Sequence, residues 1–400
     1  MSQTSVLIAS DSFKGSASSR RVNELVAQGV RRAIPGCQVK SFPIADGGEG
    51  TVEAIVSARG GEIREVQVTG PLGESVVAHY GMVDASVAVV EMAEASGITL
   101  IKQTSANARR ASSMGVGEVI LDAIAHGARK VLIGLGGSAT SDGGAGMAKA
   151  LGARFLDASG EEIPCGLAGL EHLASIDVSG LNPVLEDVEF VALTDVTNPL
   201  CGPDGAVYVY GPQKGIDPDD RARLDGWMQA YAGILAQTIG RDVASLPGAG
   251  AAGGLGAALA AFCGARIERG IEYVLDAIKL EDAMEGVDLV ITGEGRMDSQ
   301  SAFGKAPVGV ASRAKRHGIP TVAIVGSRAN DLGGVYEAGI DLVLSICTGP
   351  LTLEECMAQT DTLVPIAGEA AARAFLLGAD RSAPILSLGD SGRDISAMEA

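Results

Sequence analysis

The chain of 400 residues is 46% hydrophobic and 20% charged, a composition that predicts a globular protein of two or three domains and excludes a disordered one. Its formal net charge of −18 makes nucleic acids and anionic membranes poor partners. The six cysteines are scattered without a C-x₂-C pair, so neither a zinc site nor a disulfide framework is expected. Neither a signal peptide nor a membrane-spanning apolar run is evident, and we expect a cytoplasmic protein with reduced thiols.

The first fifty residues predict a strand–helix–strand unit. An apolar run at 6–9 predicts a strand, residues 18–33 have helical periodicity, and residues 38–44 predict a second strand. A new helix is expected to begin near Thr51. Such alternation builds a parallel sheet whose two faces are covered by helices.

The pattern changes after this unit. Extended runs at 65–69 and 74–83, joined by a Gly-Pro-Leu-Gly turn, predict an antiparallel pair. Strand–helix alternation of the first kind returns near the other end of the chain. Its predicted elements are a strand at 288–292, a helix at 307–317 and strands at 320–325 and 341–346.

We therefore predict an α/β fold in which a discontinuous parallel-sheet domain carries an inserted second domain. The discontinuous domain comprises residues 1–78 and 285–378, and the inserted α/β domain comprises residues 79–284. Residues 379–400 lack sustained periodicity and predict a mobile tail.

The segment 131–146, VLIGLGGSATSDGGAG, is the most informative loop of the chain. A short apolar strand opens into glycines that let the backbone approach a ligand closely, and a helix N-terminus beyond them offers free N–H groups to an anion. This order favours phosphate binding, although no Lys-Ser or Lys-Thr follows at the spacing of a Walker A loop. The alternative is a glycine-rich turn that only packs a helix against a sheet.

Three further loops follow predicted strands of the parallel sheet. They are DSFKGS at 11–16, ADGGEGT at 45–51 and GEGRMDSQS at 293–301, which runs on to Lys305. Ligands of parallel α/β sheets bind at the carboxyl ends of the strands, so we expect these loops to meet around a ligand. Each loop alone is also compatible with an acid-rich turn or a helix cap.

The inserted region contributes TDVTNP at 194–199, after another predicted strand. Asp195 is a candidate general base or Mg²⁺ ligand and Asn198 a polar positioning group, the alternative being an Asx turn before proline. A G-x-G-x-x-G match at 248–253 lacks the upstream strand of a dinucleotide fingerprint, so we expect a turn entering a small-residue helix.

Taken in order, these loops resemble the bacterial type I glycerate kinase family. The motifs that carry the resemblance cover the chain from about residue 5 to 378 and are DSFKGS at 11–16, ADGGEGT at 45–51, EMAEASG at 91–97, GLGGSATSDGGAGM at 134–147, DVTNPL at 195–200, GPQKG at 211–215, PGAGAAGG at 247–254 and GEGRMDSQSAFGK at 293–305. The chain departs from the family at 112–118, where relatives often have a Thr-Ser-Arg-Gly-Thr-Gly-Glu type of sequence. Met114 and Val116 stand there in place of a cation and a hydroxyl, and we expect this to bear on substrate affinity.

The resemblance implies two α/β domains, one of them flavodoxin-like, with the active site in the cleft between them. It implies phosphorylation of D-glycerate with ATP and Mg²⁺, giving 2-phosphoglycerate in many members. Phosphoryl transfer needs positioning and charge neutralisation, and we expect Asp195, Lys14 and Arg296 as the catalytic residues. The expected substrate-binding residues are Asp11, Ser12, Asp46, Glu49, Asn198, Glu294, Asp298 and Lys305. The expected nucleotide-binding residues are Gly134, Gly136, Gly137, Ser138, Thr140, Asp142 and Gly143, and the expected Mg²⁺ ligands are Asp195 and Glu294.

Alternatives to this function stay open at the level of sequence. Transfer to the 3-hydroxyl of glycerate and a kinase for a related small hydroxy acid would use the same site. A non-catalytic sensor is disfavoured because the loops retain their Asp, Lys and Arg residues. A nicotinamide dehydrogenase is disfavoured by the missing strand-linked fingerprint. The sequence is compatible with a monomer or a homodimer.

Overall fold

A computed structural model describes residues 3–379 and shows an α/β fold built on two main sheets. The strands are β1 Ser5–Ser10, β2 Gln38–Ser41, β3 Glu62–Thr69, β4 Ser75–Val83, β5 Val87–Glu91, β6 Lys130–Gly134, β7 Arg154–Leu156, β8 Ser175–Asp177, β9 Glu189–Leu193, β10 Arg266–Glu268, β11 Leu289–Met297, β12 Thr321–Arg328 and β13 Leu342–Ser345. The helices are α1 Ser19–Ala33, α2 Thr51–Arg59, α3 Met92–Ser96, α4 Ser105–Arg110, α5 Met114–Ala125, α6 Ala145–Ala150, α7 Ala206–Lys214, α8 Arg221–Ile239, α9 Ala251–Phe262, α10 Gly270–Ala277, α11 Leu280–Ala283, α12 Ala306–Arg316, α13 Leu353–Ala358 and α14 Thr360–Ala379.

The first sheet is parallel throughout, in the order β13-β12-β11-β1-β2. Its interior strand β1 is buried along its whole length because α1 and α14 cover one face of the sheet and α12 covers the other. The parallel sheet predicted from the two ends of the sequence is therefore present.

The second sheet has the order β10-β9-β6-β5-β4-β3. The predicted antiparallel pair is confirmed, since β3 pairs with β4 in register from Glu62–Met82 to Thr69–Ser75. The strands β5, β6, β9 and β10 are parallel, so their carboxyl ends lie along one edge. A separate ribbon of β7 and β8 completes this half of the chain.

The two sheets share one hydrophobic cluster, formed around a layer that includes α2, α10 and α12. It includes Leu7 of β1, Leu132 of β6 and Val191 of β9, which pack with Ile271 of α10 and Val310 of α12. Each of these five side chains is fully buried or nearly so. The helical layer therefore buries apolar side chains of both sheets.

The division of the chain into two domains remains a proposal, and the structure corrects its first boundary. Position 78 lies inside β4, whereas β3 and β4 both belong to the second sheet. We therefore propose the boundary between α2 and β3. Of the predicted tail, residues 380–400 lie outside the part that the structure describes.

Two elements differ from their predictions in ways that affect the site. The strand predicted at 38–44 ends at Ser41, because Pro43 has no N–H to donate to a ladder. The strand predicted at 288–292 continues as β11 to Met297, which pairs with Arg328 of β12. Residues 293–297 therefore belong to a strand and not to a loop.

Within residues 3–379, no helix has both the length and the apolar character that a membrane crossing requires.

Candidate active site

A cavity of about 900 Å³ lies where loops from the carboxyl ends of both sheets meet. Its walls come from the loop after β1, the loop before α2, the end of β11, the glycine loop after β6, and α13. The predicted site residues in its lining are Asp11, Ser12, Lys14, Asp46, Glu49, Gly136, Gly137, Glu294, Arg296 and Lys305. Those outside the lining are Gly134, Ser138, Thr140, Asp142, Gly143, Asp195, Asn198 and Asp298.

Carboxylates are crowded at this cavity. Burial raises the pKa of Asp11 well above its usual range, and the charges of Asp46 and Glu294 raise it further. Burial also raises the pKa of Glu294, although Lys305 opposes this through an ion pair of 3.4 Å between Nζ and Oε2. Since like charges so close together disfavour ionisation, the cluster favours a bound cation.

Asp195 follows β9 and interacts electrostatically with Asp46 of the lining. Burial, and then the charge of Asp46, raise the pKa of Asp195 to about 7. Its Oδ2 accepts a hydrogen bond of 3.3 Å from the N–H of Ile271, while its buried Oδ1 has no hydrogen-bond partner among the described residues. A carboxylate with a pKa near neutrality and an unused oxygen is suited to accept a proton.

Cationic side chains stand at the same cavity. Lys14 is exposed, and the Arg296 side chain is 73% exposed, with 3.7 Å between its Nε and Oδ2 of Asp298. An ion pair that long and that exposed holds the guanidinium only weakly. Lys14 and Arg296 are therefore available to an anionic ligand, together with Lys305.

The glycines of the loop after β6 bring two predicted loops into backbone contact. A Cβ placed on Gly136 would lie 2.5 Å from the Cα of Gly48, and the Gly136 N–H donates to the carbonyl of Gly47 over 3.2 Å. Only glycine fits at this approach. Gly136 is partly exposed and Gly137 exposed, so this part of the loop faces the cavity.

The remainder of the glycine loop is buried, which changes the roles predicted for it. Asp142 is completely buried, and its carboxylate accepts hydrogen bonds from the N–H and Oγ of Ser113 and from the N–H groups of Gly144 and Gly146, at 2.8–3.1 Å. Because its oxygens are engaged in this way, Asp142 joins the loop to the start of α5 and is not a candidate for contact with nucleotide. Thr140 is equally buried, and the carbonyl of Gly143 accepts a hydrogen bond from the hydroxyl of Tyr231.

Lys214, at the end of α7, is a buried residue of this region that sequence reasoning did not place in the site. Its Nζ donates to Oγ of Ser138 at 2.8 Å and to the carbonyl of Thr140 at 2.6 Å. Burial lowers the pKa of Lys214 to about 7. The sequence signal was the single cation of the GPQKG motif, which indicated a charge but not its partner.

Glu91 and α13 also line the cavity without having been predicted. The Oε1 of Glu91 accepts hydrogen bonds from the N–H groups of Gly50 and Val52 at the start of α2, and burial raises its pKa to about 7. Glu91 lies in the EMAEASG motif, whereas no sequence pattern marked Cys356 or Met357 of α13.

Four positions from the sequence analysis have structural environments away from the cavity lining. Asn198 donates from Nδ2 to the carbonyl of Asp204 and accepts from the hydroxyl of Tyr210, and Asp298 caps a short turn through Gln300. Val116 is fully buried in the core and Met114 begins α5, and neither lines the cavity. The expected effect of these two residues on substrate affinity is therefore not supported by a contact with the cavity.

The resemblance implies a bound Mg²⁺ ion, and the site residues can be examined for oxygen atoms that could coordinate it. Among the described residues, no group of three or more His, Cys, Asp or Glu is placed to hold a metal ion. Mg²⁺ at phosphoryl-transfer sites needs only one or two carboxylates, because substrate phosphates and waters supply the other oxygens. Asp195 Oδ1 and Glu294 Oε1 are both buried without a hydrogen-bond partner, so hard oxygen donors that fit the ion are present.

Comparisons with known proteins agree over most of the chain. The model of the glycerate kinase family matches residues 6–376. A protein of Escherichia coli strain K12 named glycerate 2-kinase is 48% identical over 351 residues, which are 88% of this chain and 92% of that protein. A glycerate kinase of Halalkalibacterium halodurans is 45% identical over 90% of this chain and 95% of its own length.

A solved structure agrees as well. A crystal structure from Salmonella typhimurium LT2 that carries an assignment to glycerate kinase 2 is 45% identical in sequence and superposes with a TM-score of 0.81. The match covers 95% of this chain and 100% of that one. With the family model, the curated relatives and the solved structure in agreement, the chain belongs to the glycerate kinase family.

Proposed function

We propose that this protein transfers the γ-phosphoryl group of ATP to the 2-hydroxyl of D-glycerate, giving 2-phosphoglycerate and ADP. The observation that carries the proposal is the cavity at the joined strand ends, in which a glycine backbone, cations and carboxylates surround one space. The name of the Escherichia coli relative, glycerate 2-kinase, supports the 2-hydroxyl as the acceptor.

The nucleotide side of the cavity is proposed at the exposed part of the glycine loop. Gly136 and Gly137 leave room for a polyphosphate close to the backbone, and Gly137 has a positive φ of 74°. In this proposal Ser138 and Thr140 do not bind the nucleotide themselves. Lys214 donates hydrogen bonds to Oγ of Ser138 and to the carbonyl of Thr140, and these bonds hold the loop in position.

Lys14 and Arg296 are proposed to stabilise the charge of the transferring phosphoryl group. In phosphoryl transfer the protein contributes positioning and electrostatic stabilisation more than covalent chemistry. Both cations line the cavity and neither is held by a short ion pair among the described residues. Removal of either is expected to lower turnover by a factor on the order of 10².

The acceptor is proposed to lie between the loop after β1 and the end of β11. Lys305 and Ser12 would bind the carboxylate of glycerate, and Asp11, Asp46 and Glu49 its hydroxyls. Asp195 would accept the proton of the attacking hydroxyl, because its pKa of about 7 allows it to be ionised at neutral pH and still take up a proton.

Asp195 and Glu294 are the residues proposed to hold Mg²⁺, each through a buried oxygen without a partner. When bound, the ion would supply positive charge to the phosphate oxygens in a protein that is itself strongly acidic. For Asp195, proton acceptance and ion binding are alternative roles that a pH profile distinguishes.

The test is a Mg²⁺-dependent assay of ADP release with the purified protein, using D-glycerate, L-glycerate and related small hydroxy acids side by side. Phosphorus NMR of the product then identifies the phosphorylated carbon. D-glycerate is expected to give the highest kcat/KM, with the product phosphorylated at C2. A higher kcat/KM with another acid, or a C3 product, would replace the proposal by the corresponding alternative, and no ADP release with any acid would reject a kinase.

A further inference from the structure

Two cysteines that no sequence motif connects are in contact in the structure. The Sγ atoms of Cys347 and Cys356 lie 3.4 Å apart, although the residues are nine positions apart in the chain. Cys347 lies in the segment after β13, and Cys356 lies in α13. The spacing of the cysteines in the sequence did not indicate this contact.

The pair combines an accessible thiol with one at the cavity. Cys347 is exposed, whereas Cys356 is only 9% exposed and belongs to the cavity lining. Because Cys347 is the exposed thiol of the pair, it is the one that reacts first with a reagent from solution. Among the other cysteines, all of which fall within residues 3–379, none has a recorded contact with another thiol.

We propose that Cys347 and Cys356 form a reversible dithiol–disulfide site beside the substrate cavity, which Cys356 lines, with a low-molecular-weight disulfide as the oxidant. The thiolate of Cys347 attacks one sulfur of the oxidant, forms a mixed disulfide and displaces the first thiolate. The thiolate of Cys356 then attacks the Cys347 sulfur and displaces the second. The protein loses two protons and two electrons, and the oxidant becomes two small thiols.

The bond would change the cavity, because its two sulfurs must come closer. A disulfide bond is about 2.05 Å long, so the sulfurs must approach by more than an ångström from their present 3.4 Å. Leu353 and Met357, on either side of Cys356 in the chain, line the cavity together with it. A displacement of about an ångström in an active site is enough to cost up to roughly a hundredfold in rate. We therefore expect the oxidised protein to have a kcat/KM at least roughly tenfold lower.

The experiment equilibrates the reduced full-length protein with oxidised glutathione and follows it in two independent ways. Mass spectrometry of the intact protein and of its peptides is expected to show the loss of two hydrogens and a link between Cys347 and Cys356. Kinase assays on the same samples are expected to show the loss of activity, restored by dithiothreitol. The effect on rate rests on the proposed function, whereas the mass measurement does not, so the two can fail separately.

The variants Cys347→Ser and Cys165→Ser make a matched pair, because both cysteines are exposed. Both reduced variants are expected to keep the activity of the unmodified protein. After oxidation, Cys165→Ser should lose activity as the unmodified protein does, and Cys347→Ser should not. Absence of the Cys347–Cys356 link overturns the site. A complete link with unchanged kcat/KM overturns its effect on the cavity.

Discussion

Asp195 and Lys214 are an acid and a base whose pKa values both lie at about 7. The physical cause is the same, since burial disfavours the charged form of either group. The consequences are opposite, because Asp195 is charged above this pH and Lys214 below it. The two residues therefore give different pH signatures, which separate a role in proton transfer from a role in holding the glycine loop.

For Asp195→Asn, we expect kcat to fall by a factor on the order of 10²–10³, because the acceptor of the hydroxyl proton is removed. In the unmodified protein, kcat should rise with pH through about 7 as Asp195 loses its proton, and this rise should be absent from the residual activity of the variant. The measurement is the pH profile of kcat for both proteins.

Asp187→Asn is the matched control, because Asp187 is exposed and lies just before β9, while Asp195 lies just after it. This control should keep both the rate and the profile. If Asp195→Asn keeps near-normal turnover with an intact fold, the assignment as base fails. If the variant instead loses Mg²⁺ affinity while keeping the pH-dependent rise, Asp195 is a metal ligand.

Lys214→Met should weaken ATP binding and change the pH dependence of stability. Between pH about 7 and the ordinary lysine value of 10.5, the unfolded chain binds a proton that the folded protein does not. The free energy of unfolding of the unmodified protein should therefore rise with pH in this window, by up to about 1.4 kcal/mol per pH unit from this group. The variant should lack that contribution and show a raised KM for ATP, because Ser138 and the Thr140 carbonyl lose their donor.

The measurement is urea unfolding at several pH values between about 7.5 and 9, with ATP kinetics at neutral pH. The exposed Lys102 offers a control, and Lys102→Met should leave both properties unchanged. Equal pH slopes for Lys214→Met and the unmodified protein would show that Lys214 does not titrate in this window.

At the scale of elements, the site depends on loops that contact each other through their backbones. The residues Ala252, Gly253 and Gly254 at the start of α9 all have positive φ, and a Cβ on Gly253 would lie 2.0 Å from the carbonyl oxygen of Thr140. The G-x-G-x-x-G match thus forms a turn before a small-residue helix, as expected, and its last glycine, Gly253, lies against the glycine loop.

Gly253→Ala should lower the free energy of unfolding by about 2–5 kcal/mol, because it combines left-handed strain with a steric clash. Gly264→Ala isolates the strain alone, since Gly264 has a φ of +61° and open space around its Cα, and it should cost about 1–2 kcal/mol. Urea unfolding of both variants gives the comparison. Equal losses would mean that the contact between the two loops contributes nothing to stability.

At the scale of the whole molecule, the two sheets are joined by the cluster that contains Leu7, Leu132 and Val310. Because the helical layer between the sheets is shared, each sheet loses part of its buried apolar surface when the other unfolds. Trp227 of α8 is the single tryptophan of the chain and packs against the core of the inserted region, so its fluorescence reports on that half.

We expect one unfolding transition in urea, with the same midpoint by Trp227 fluorescence and by far-ultraviolet circular dichroism. The circular dichroism signal reports the helices of both halves, so coincidence means that they unfold together. Two separated midpoints would contradict the shared core and would support two independently stable domains.

The sequence by itself determined the fold class and most of the strand-end loops. Apolar runs and helical periodicity are local properties, so β1, α1 and the β3–β4 pair could be predicted from short windows. Because ligands bind at the carboxyl ends of parallel strands, the segments at 11–16, 45–51 and 293–305 could then be predicted to meet around a ligand. These loops carry the motifs by which the family is recognised.

Only the tertiary structure decided which polar groups face the cavity and which form hydrogen bonds in the protein interior. Lys214 and Ser138 are 76 positions apart, and Asp142 and Ser113 are 29 apart, so no local pattern indicates that they bond to each other. The contact between Cys347 and Cys356 likewise depends on where α13 lies relative to the segment after β13. A residue's type can be read from the sequence, but its burial and its partners are set by segments that meet only when the chain has folded.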